Sequence, residues 1–469
     1  MTKFGWFASL EEFSPEECLE QVDIAEAAEF DSVWVNDHFH PWFDHMPDGS
    51  SANGGNCWSW MPAALERTDD IEIGTGVSAI IRRYHPANVA HQLATLEEMY
   101  PDRVFLGLGL GEALNESPFG NPLPDPGERL KRTAEAVRII RKLFQEEFVT
   151  YEGNFWDVED ANLYTGPDES PPIHIASNNP GASRMAGDLG DGFVTVFQPP
   201  DYVQDTLFPS VETGVRKSEH NESLDDVEKS IHIHVSLADT EERALEPCLP
   251  WRGTLLPVFF QEDIADPRFI QEHGDRVGEE QLKETYVVTT DPQDIFDVTE
   301  TYVEAGFDHI VYQSHSPDQQ RFSRPNAVLR TVSPVRPAGG STVRDGAVAR
   351  RRIGTRWRGG ARGRGGRCAG GIAGRGGTRG RPGHSARGRV RVGVDRPLVD
   401  GVVPGDVAAG VGDPDLDAVA TRAPSPLGVG PEVGVVDGRR RRAVREDRDD
   451  VPDDERVRPV EPPVDGERA

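Results

Sequence analysis

The chain has 469 residues and a formal net charge of −30, a length that suits one large domain with an extension, or two to three average domains. Its four cysteines are far apart and form no C-x-x-C pair, which argues against a disulfide framework and a cysteine-rich zinc site. The N-terminus has no basic segment followed by an apolar run, and no stretch reaches the roughly 20 apolar residues of a membrane span. We therefore expect a cytoplasmic protein without a membrane segment.

Predicted strands and helices alternate along residues 1–323. Ser14, followed by Pro15 and Glu17, predicts the N-cap of a first helix, and further helical patterns lie near 86–99, 127–146, 180–189, 200–218 and 291–305. Eight apolar runs predict strands: Lys3–Ala8, Asp31–Asn36, Glu72–Ser78, Val104–Leu110, Ile173–Ser177, Gly192–Phe197, Ser230–Leu237 and His309–Gln313. Eight strand–helix units favour an α/β fold of the (β/α)8 (TIM) barrel type over an open sheet.

The composition changes abruptly after Phe322, so we divide the chain into a barrel domain, 1–323, and a tail, 324–469. The tail is rich in Arg, Gly, Pro and Val, without helical or strand periodicity, which predicts a segment unable to bury a core. It could be a nucleic-acid-binding appendage, a disordered extension or the product of a frameshift in a GC-rich gene. The sudden change favours the frameshift, and Trp357 as the tail's single aromatic ring argues against nucleic-acid binding.

The charge is also divided unevenly. Residues 1–323 contain 21 basic and 61 acidic side chains, a net −40, whereas the tail contains 29 arginines and 19 acidic residues. Such a barrel repels itself unless salt screens its charges, and the acidic residues are scattered. We interpret this as adaptation to a salt-rich (halophilic) cytoplasm, which makes nucleic acid an improbable partner of the barrel.

Polar residues follow several of the predicted strands at the end where barrel enzymes place their chemistry. Glu11 follows the first strand, His38 and Trp42 the second, and Glu112 the fourth. A histidine near carboxylates suits general acid–base catalysis. Taken singly, Glu112 could be a helix N-cap and Trp42 a core residue, so the site is inferred from their convergence.

Several of these segments resemble the deazaflavin (coenzyme F420)-dependent glucose-6-phosphate dehydrogenases of the luciferase-like monooxygenase superfamily. The matching stretches are Trp6–Phe13, Asp37–Trp42, Arg103–Glu116, Gly187–Phe193 and Asp318–Phe322. The resemblance covers nearly all of 1–323 and none of the tail. It implies an oxidoreductase that transfers a hydride between coenzyme F420 and a carbinol or carbonyl carbon, and an enzyme that forms homodimers.

The resemblance also assigns roles to individual residues. His38 is implied as the base for the substrate hydroxyl, Trp42 as its neighbour, and Glu112 and Glu11 as groups in proton transfer. A non-proline cis peptide is implied at Gly76–Val77, against the face of the deazaflavin ring. The implied cofactor-binding residues are Asp37, His38, Gly76, Val77, Gly111, Glu112, Asn115, Asn178 and Asn179, and no metal is implied.

The sequence departs from the family where the sugar phosphate is held. The family's two lysines and one arginine fall here on Pro199, near Gln261, and on Thr285, none of them cationic. A phosphate dianion without such partners in an acidic barrel binds weakly, so we expect an uncharged alcohol or carbonyl substrate. Two cofactor-contacting threonines become Ala79 and Leu110, and the stretch 251–260 is either a pocket lining or a core helix.

Other functions remain open on this evidence. His38 and His40 could share one face of a strand, as could His232 and His234, which is the pattern of a metal-dependent hydrolase on the same barrel. A flavin mononucleotide (FMN)-dependent monooxygenase of the same superfamily is the other alternative. A non-catalytic protein that uses the tail to bind nucleic acid is the third.

Overall fold

The computed structural model describes residues 2–167 and 170–323, so the predictions for the tail lie outside the described residues. Twelve strands occur in this part of the chain, ten of them in one sheet. They are β1 (Lys3–Ala8), β2 (Ser32–Val35), β3 (Glu72–Thr75), β4 (Ser78–Ala79), β5 (Val104–Gly109), β6 (Val149–Glu152), β7 (Asp157–Ala161), β8 (Ile173–Ala176), β9 (Gly192–Val196), β10 (Glu228–Leu237), β11 (Val287–Thr289) and β12 (His309–Ser314).

Helices lie between most of the strands. They are α1 (Pro15–Ala27), α2 (Cys57–Arg67), α3 (Pro86–Met99), α4 (Ala113–Glu116), α5 (Pro126–Gln145), α6 (Pro180–Leu189), α7 (Pro200–Tyr202), α8 (Phe208–Val215), α9 (Glu241–Leu245), α10 (Val258–Gln261), α11 (Pro267–Gly274), α12 (Glu279–Lys283) and α13 (Pro292–Ala305). A π-helical turn, Val203–Leu207, joins α7 to α8, and a 3₁₀ segment, Glu246–Leu255, follows α9.

Helix starts are set by local side-chain chemistry. The Ser14 hydroxyl accepts the Glu17 amide while the Glu17 carboxylate accepts the Ser14 amide, which is the predicted capping box. Asp125 and Asp291 cap α5 and α13 by accepting the backbone amides of Glu128 and Gln293, and each lies one residue before a proline. Proline fits the first helical turn because the amide it lacks has no partner there.

Eight parallel strands close into a barrel, as predicted. Their order is β1–β2–β3–β5–β8–β9–β10–β12, and β12 returns to β1 with Lys3 opposite His309. Alternate side chains fill the interior, where Phe7, Trp34 and Phe105 form one apolar cluster. The opposite faces of the strands pack against the helices in the main core, so loops at the C-terminal strand ends surround a common mouth.

Other parts of the chain depart from the prediction. Helix α2 was not predicted, because its interior holds Pro62, and proline is a strong helix breaker. The antiparallel pair β6–β7 was also missed, as were α9, α11 and α12. The stretch 251–260, predicted as a pocket lining or a core helix, forms the end of the 3₁₀ segment and the start of α10. Among the described cysteines, Cys18, Cys57 and Cys248 are free. No helix in the described ranges is long and apolar enough to cross a membrane.

Candidate functional site

His38 lies at the barrel mouth between two carboxylates. Its Nδ1 is hydrogen-bonded to Glu11 Oε1, and its Nε2 lies 3.4 Å from Glu112 Oε2. Glu11 also accepts hydrogen bonds from the Asn36 amide group at 2.9 Å and from the Trp42 backbone N–H at 3.2 Å. Strands β1, β2 and β5 thus each contribute one member of this triad, and the sequence-predicted catalytic residues come together.

The two carboxylates govern the proton on His38. Burial of the ring opposes its charged form, but Glu11 first and Glu112 second outweigh that effect and raise the pKa of His38 to about 10. The imidazole is therefore protonated at neutral pH in the free protein. That is the state needed to donate a proton to a carbonyl oxygen, and the reverse reaction needs the neutral ring.

Asn115 ties the His38 loop to the Glu112 loop. Its side-chain carbonyl accepts the Phe39 backbone N–H at 2.8 Å, and its amide nitrogen lies 3.4 Å from Glu112 Oε2. Asn115 is 2% exposed. These two contacts hold the loops together, so Asn115 helps to position His38 relative to Glu112. Its predicted contact to the cofactor is a separate role.

Asp37, predicted to contact the cofactor, is buried beneath the same loop. Its carboxylate accepts hydrogen bonds from Ser78 Oγ at 2.7 Å and from Tyr84 at 3.1 Å, and it pairs with Arg83 at 2.9 Å. These contacts fix the β2 loop against the segment after β4. In this structure Asp37 anchors the loop, and its contact to a cofactor stays a prediction.

The wall formed by β3 and β5 carries the predicted cis peptide at Gly76–Val77, which is confirmed. Val77 is half-buried, and a side chain on Gly109 would come within 2.7 Å of it. Gly111 has a φ of +78°, a conformation that favours glycine. The glycines at 107 and 109 leave room for Val77, which packs on the interior apolar cluster and forms an apolar shelf at the mouth.

Asn178 and Asn179 lie at the start of α6, on the far side of the mouth from Glu11. Asn179 Oδ1 accepts the amides of Gly181 and Ala182, so this side chain caps the helix. Asn178 is exposed, and its side-chain carbonyl accepts a hydrogen bond from Thr195 at 2.8 Å. Their predicted contact to a cofactor would use the backbone and the free amide group of Asn178.

Sequence reasoning missed Arg129. Its guanidinium donates to the carbonyls of Gly111 at 2.7 Å and Phe260 at 3.2 Å. Burial lowers the pKa of Arg129 and the neighbouring Glu112 carboxylate opposes that shift, so a buried cation lies behind the site. The detectable signal is an arginine at a buried position of α5, next to the apolar Leu130.

From the sequence, His232 and His234 were predicted only as possible metal ligands. Their rings lie stacked, with centroids 4.8 Å apart. The prediction that His38 and His40 share a strand is wrong, because β2 ends at Val35. His40 instead bonds through Nδ1 to the Ala265 carbonyl at 2.8 Å. Within residues 2–167 and 170–323, no group of three or more His, Cys, Asp or Glu side chains is placed to hold a metal ion.

Comparisons with known proteins identify the family of this chain. The luciferase-like monooxygenase family matches residues 2–309. The F420-dependent glucose-6-phosphate dehydrogenase of Microbacterium testaceum (strain StLB037) is 36% identical over 323 residues, which cover 69% of this chain and 94% of that relative. The protein of the same name from Mycobacterium avium (strain 104) is also 36% identical, with 68% and 94% covered.

Among solved structures, an F420-dependent secondary alcohol dehydrogenase in complex with an F420–acetone adduct is similar to this chain. The TM-score is 0.67 at 35% identity, and the match covers 71% of this chain and 99% of that one. The chain therefore belongs to the luciferase-like monooxygenase family, and within that family it resembles F420-dependent dehydrogenases.

Proposed function

We propose that this protein is a coenzyme F420-dependent oxidoreductase that interconverts an uncharged alcohol and its carbonyl compound. The observation that carries the proposal is the placement of His38 between Glu11 and Glu112 at the mouth of the barrel. It supplies a proton donor and acceptor beside an apolar shelf. The F420-dependent names of the similar proteins support the cofactor.

The residues of the mouth fit a flat, tricyclic cofactor ring. Val77 and Ala176 are half-buried and Val196 is 40% exposed, so apolar surface faces the opening. A side chain at Gly109 would collide with Val77 and crowd this surface. Coenzyme F420, when bound, would accept or donate the hydride. The predicted cofactor residues around this shelf would hold the ring and its tail.

His38 would donate or accept the proton that is transferred together with the hydride. In carbonyl reduction, Nε2 would be the donor, because Nδ1 is bonded to Glu11 whereas Nε2 is held less closely, at 3.4 Å from Glu112. In alcohol oxidation, the same nitrogen accepts the hydroxyl proton, and Glu112 at 3.4 Å can pass it towards solvent because it is partly exposed. Trp42, whose ring centroid is 6.4 Å from that of His38, bounds the space beside it.

The substrate is proposed to be uncharged. By the resemblance to family members that act on a sugar phosphate, the positions of the phosphate-holding cations fall on Pro199, near Gln261 and on Thr285. None of these residues is cationic. Lys283, two residues before Thr285, is engaged by Glu241 at 2.5 Å. The secondary alcohol named for the similar structure fits this site better than the phosphate named for the curated relatives.

The test is F420 reduction by the full chain in high salt. We expect loss of the oxidised coenzyme's visible absorbance with small secondary alcohols and little or no turnover of glucose 6-phosphate. Asp44→Asn, an exposed carboxylate near the mouth, serves as the matched control for His38→Gln, which should abolish turnover. Efficient oxidation of glucose 6-phosphate would refute the substrate proposal, and binding of FMN in place of F420 would refute the cofactor. Homodimer formation stays a prediction.

A further inference from the structure

A second histidine system starts at Glu12, the neighbour of Glu11. Glu12 Oε2 accepts hydrogen bonds from His315 Nδ1 at 2.7 Å and from Trp251 Nε1 at 3.3 Å. His315 Nε2 lies 3.0 Å from His234 Nδ1. Two consecutive carboxylates thus hold two different histidines: Glu11 holds His38 directly, and Glu12 holds His234 through His315.

The ring of His234 has one edge left for a ligand. Tyr286 covers one face with centroids 4.2 Å apart, and His232 stacks on it at 4.8 Å. The Nδ1 edge is taken by His315. Because the residue is nevertheless only half-buried, the accessible part is the edge that carries Nε2. His232 in turn stacks at 4.3 Å on Phe7, a side chain of the barrel interior, so this edge lies inside the barrel.

Two more polar atoms on the same wall lack a partner. Gln313 is 2% exposed, and its Nε2 has no hydrogen-bond partner in the described part of the chain. The same holds for the buried Nε2 of His232, although the Gln313 side chain lies close enough to interact with the His232 ring. Gln313 lies directly opposite His234 in the β10–β12 pairing. Buried polar groups without partners are destabilising, so this wall is suited to a ligand that brings hydrogen-bonding groups.

We propose that His232, His234 and Gln313, here called the polar wall, bind a second hydroxyl group of the substrate. The preferred substrates are then small vicinal diols or polyols, with one carbinol at His38 and another hydroxyl at the wall. This inference rests on the proposed function. A hydroxyl matches because it both donates and accepts, whichever ring nitrogen carries the proton. A carboxylate does not match, because the Glu12 carboxylate already lies behind the wall, bonded to the His315 ring that contacts His234.

The selectivity test compares 2-butanol with 2,3-butanediol in F420 reduction by the full chain. We expect the wild type to favour the diol by about tenfold or more in kcat/KM, since a site built to bond a hydroxyl rejects the analogue that lacks it. His234→Leu should remove most of that preference, so that its kcat/KM values for 2,3-butanediol and 2-butanol become similar. His234→Gln should restore part of it, and His45→Gln, an exposed histidine, should leave it unchanged.

A binding test separates failure of this inference from failure of the proposed function. In protein labelled with ¹⁵N-histidine, 2,3-butanediol should shift the resonances of His232 and His234 and 2-butanol should not. If these shifts occur but F420 is not reduced, the proposed reaction is contradicted, whereas the binding of a hydroxyl group at the polar wall is supported. Equal shifts with both alcohols, or equal kcat/KM values, would overturn the wall. If His234→Leu loses affinity for F420 but keeps its selectivity for the diol, the polar wall binds the cofactor and the inference is also overturned.

Discussion

Replacing Glu11 by Gln should move the ionisation of His38 without removing the ring. The change deletes the charge bonded to Nδ1 and keeps an oxygen that can accept a hydrogen bond. Two unit charges about 4 Å apart at an effective dielectric of about 20 interact by ~4 kcal/mol, or ~3 pKa units. The amide oxygen of Gln still accepts a hydrogen bond from Nδ1 and keeps part of that effect, so we expect the pKa of His38 to fall by about 2 units, with Glu112 still 3.4 Å from Nε2.

The direction of the expected shift in the pH profile follows from the protonation state of His38 that each reaction direction needs. Alcohol oxidation needs neutral His38, so in the wild type kcat/KM should rise with pH towards the pKa of about 10. In Glu11→Gln the rise should be complete about 2 pH units earlier. Carbonyl reduction needs the protonated ring and should be lost at correspondingly lower pH in the variant.

The assay is the pH profile of kcat/KM in both directions, with the His38 side-chain ¹⁵N resonance as a direct measure of its charge. Asp44→Asn removes a negative charge near the mouth but no contact to His38, so its profile should match the wild type. A Glu11→Gln profile that coincides with the wild type would refute the assignment of the raised pKa to this carboxylate.

Other expectations follow from the packing. Gly109→Ala places a methyl group within 2.7 Å of Val77. In a binding titration, this variant should bind F420 at least about tenfold more weakly than the wild type. The control Gly278→Ala, whose methyl group would lie in open space, should not change the affinity for F420. Arg129→Gln loses the charged bond to the Gly111 carbonyl and should lower the free energy of unfolding by about 1–3 kcal/mol in a urea titration; an unchanged midpoint would contradict this. Burial raises the pKa of Glu116 to about 7, so wild-type stability should decrease as pH rises from about 4.5 to about 7, and Glu116→Gln should flatten that dependence in thermal melts. Ser14→Ala removes the cap of α1 and should lower the unfolding free energy by about 1 kcal/mol, which a melt at matched pH would detect.

The barrel was predictable because most of its strands are short, largely apolar runs that alternate with helix signals. Lys3–Ala8 and Pro86–Met99 appear as strand and helix within a residue of the predicted bounds. The hairpin β6–β7 has no comparable signal: its second strand reads Asp-Val-Glu-Asp-Ala and is largely solvent-facing. Tertiary pairing decides such a segment, and local propensity does not.

The part of the site that could be predicted consists of residues that follow directly after a barrel strand. Glu11, His38 and Glu112 all follow barrel strands, so their convergence follows from the fold. The pairing of Glu12 with His315 joins residues 303 positions apart, and no local pattern specifies it. Arg129 also depends on tertiary contacts, because its partners are backbone carbonyls of two separate loops.

The seam between β1 and β12 has a consequence for synthesis of the chain. The first strand pairs with the last one, and the ring of Trp6 packs at 5.7 Å from that of Phe322. During translation, one edge of β1 therefore waits for about three hundred further residues before its partner leaves the ribosome, which makes ring closure a late, non-local event. An unpaired edge is a template for mispairing. The period before closure is when the nascent chain is most exposed to aggregation, and chaperone demand should concentrate there.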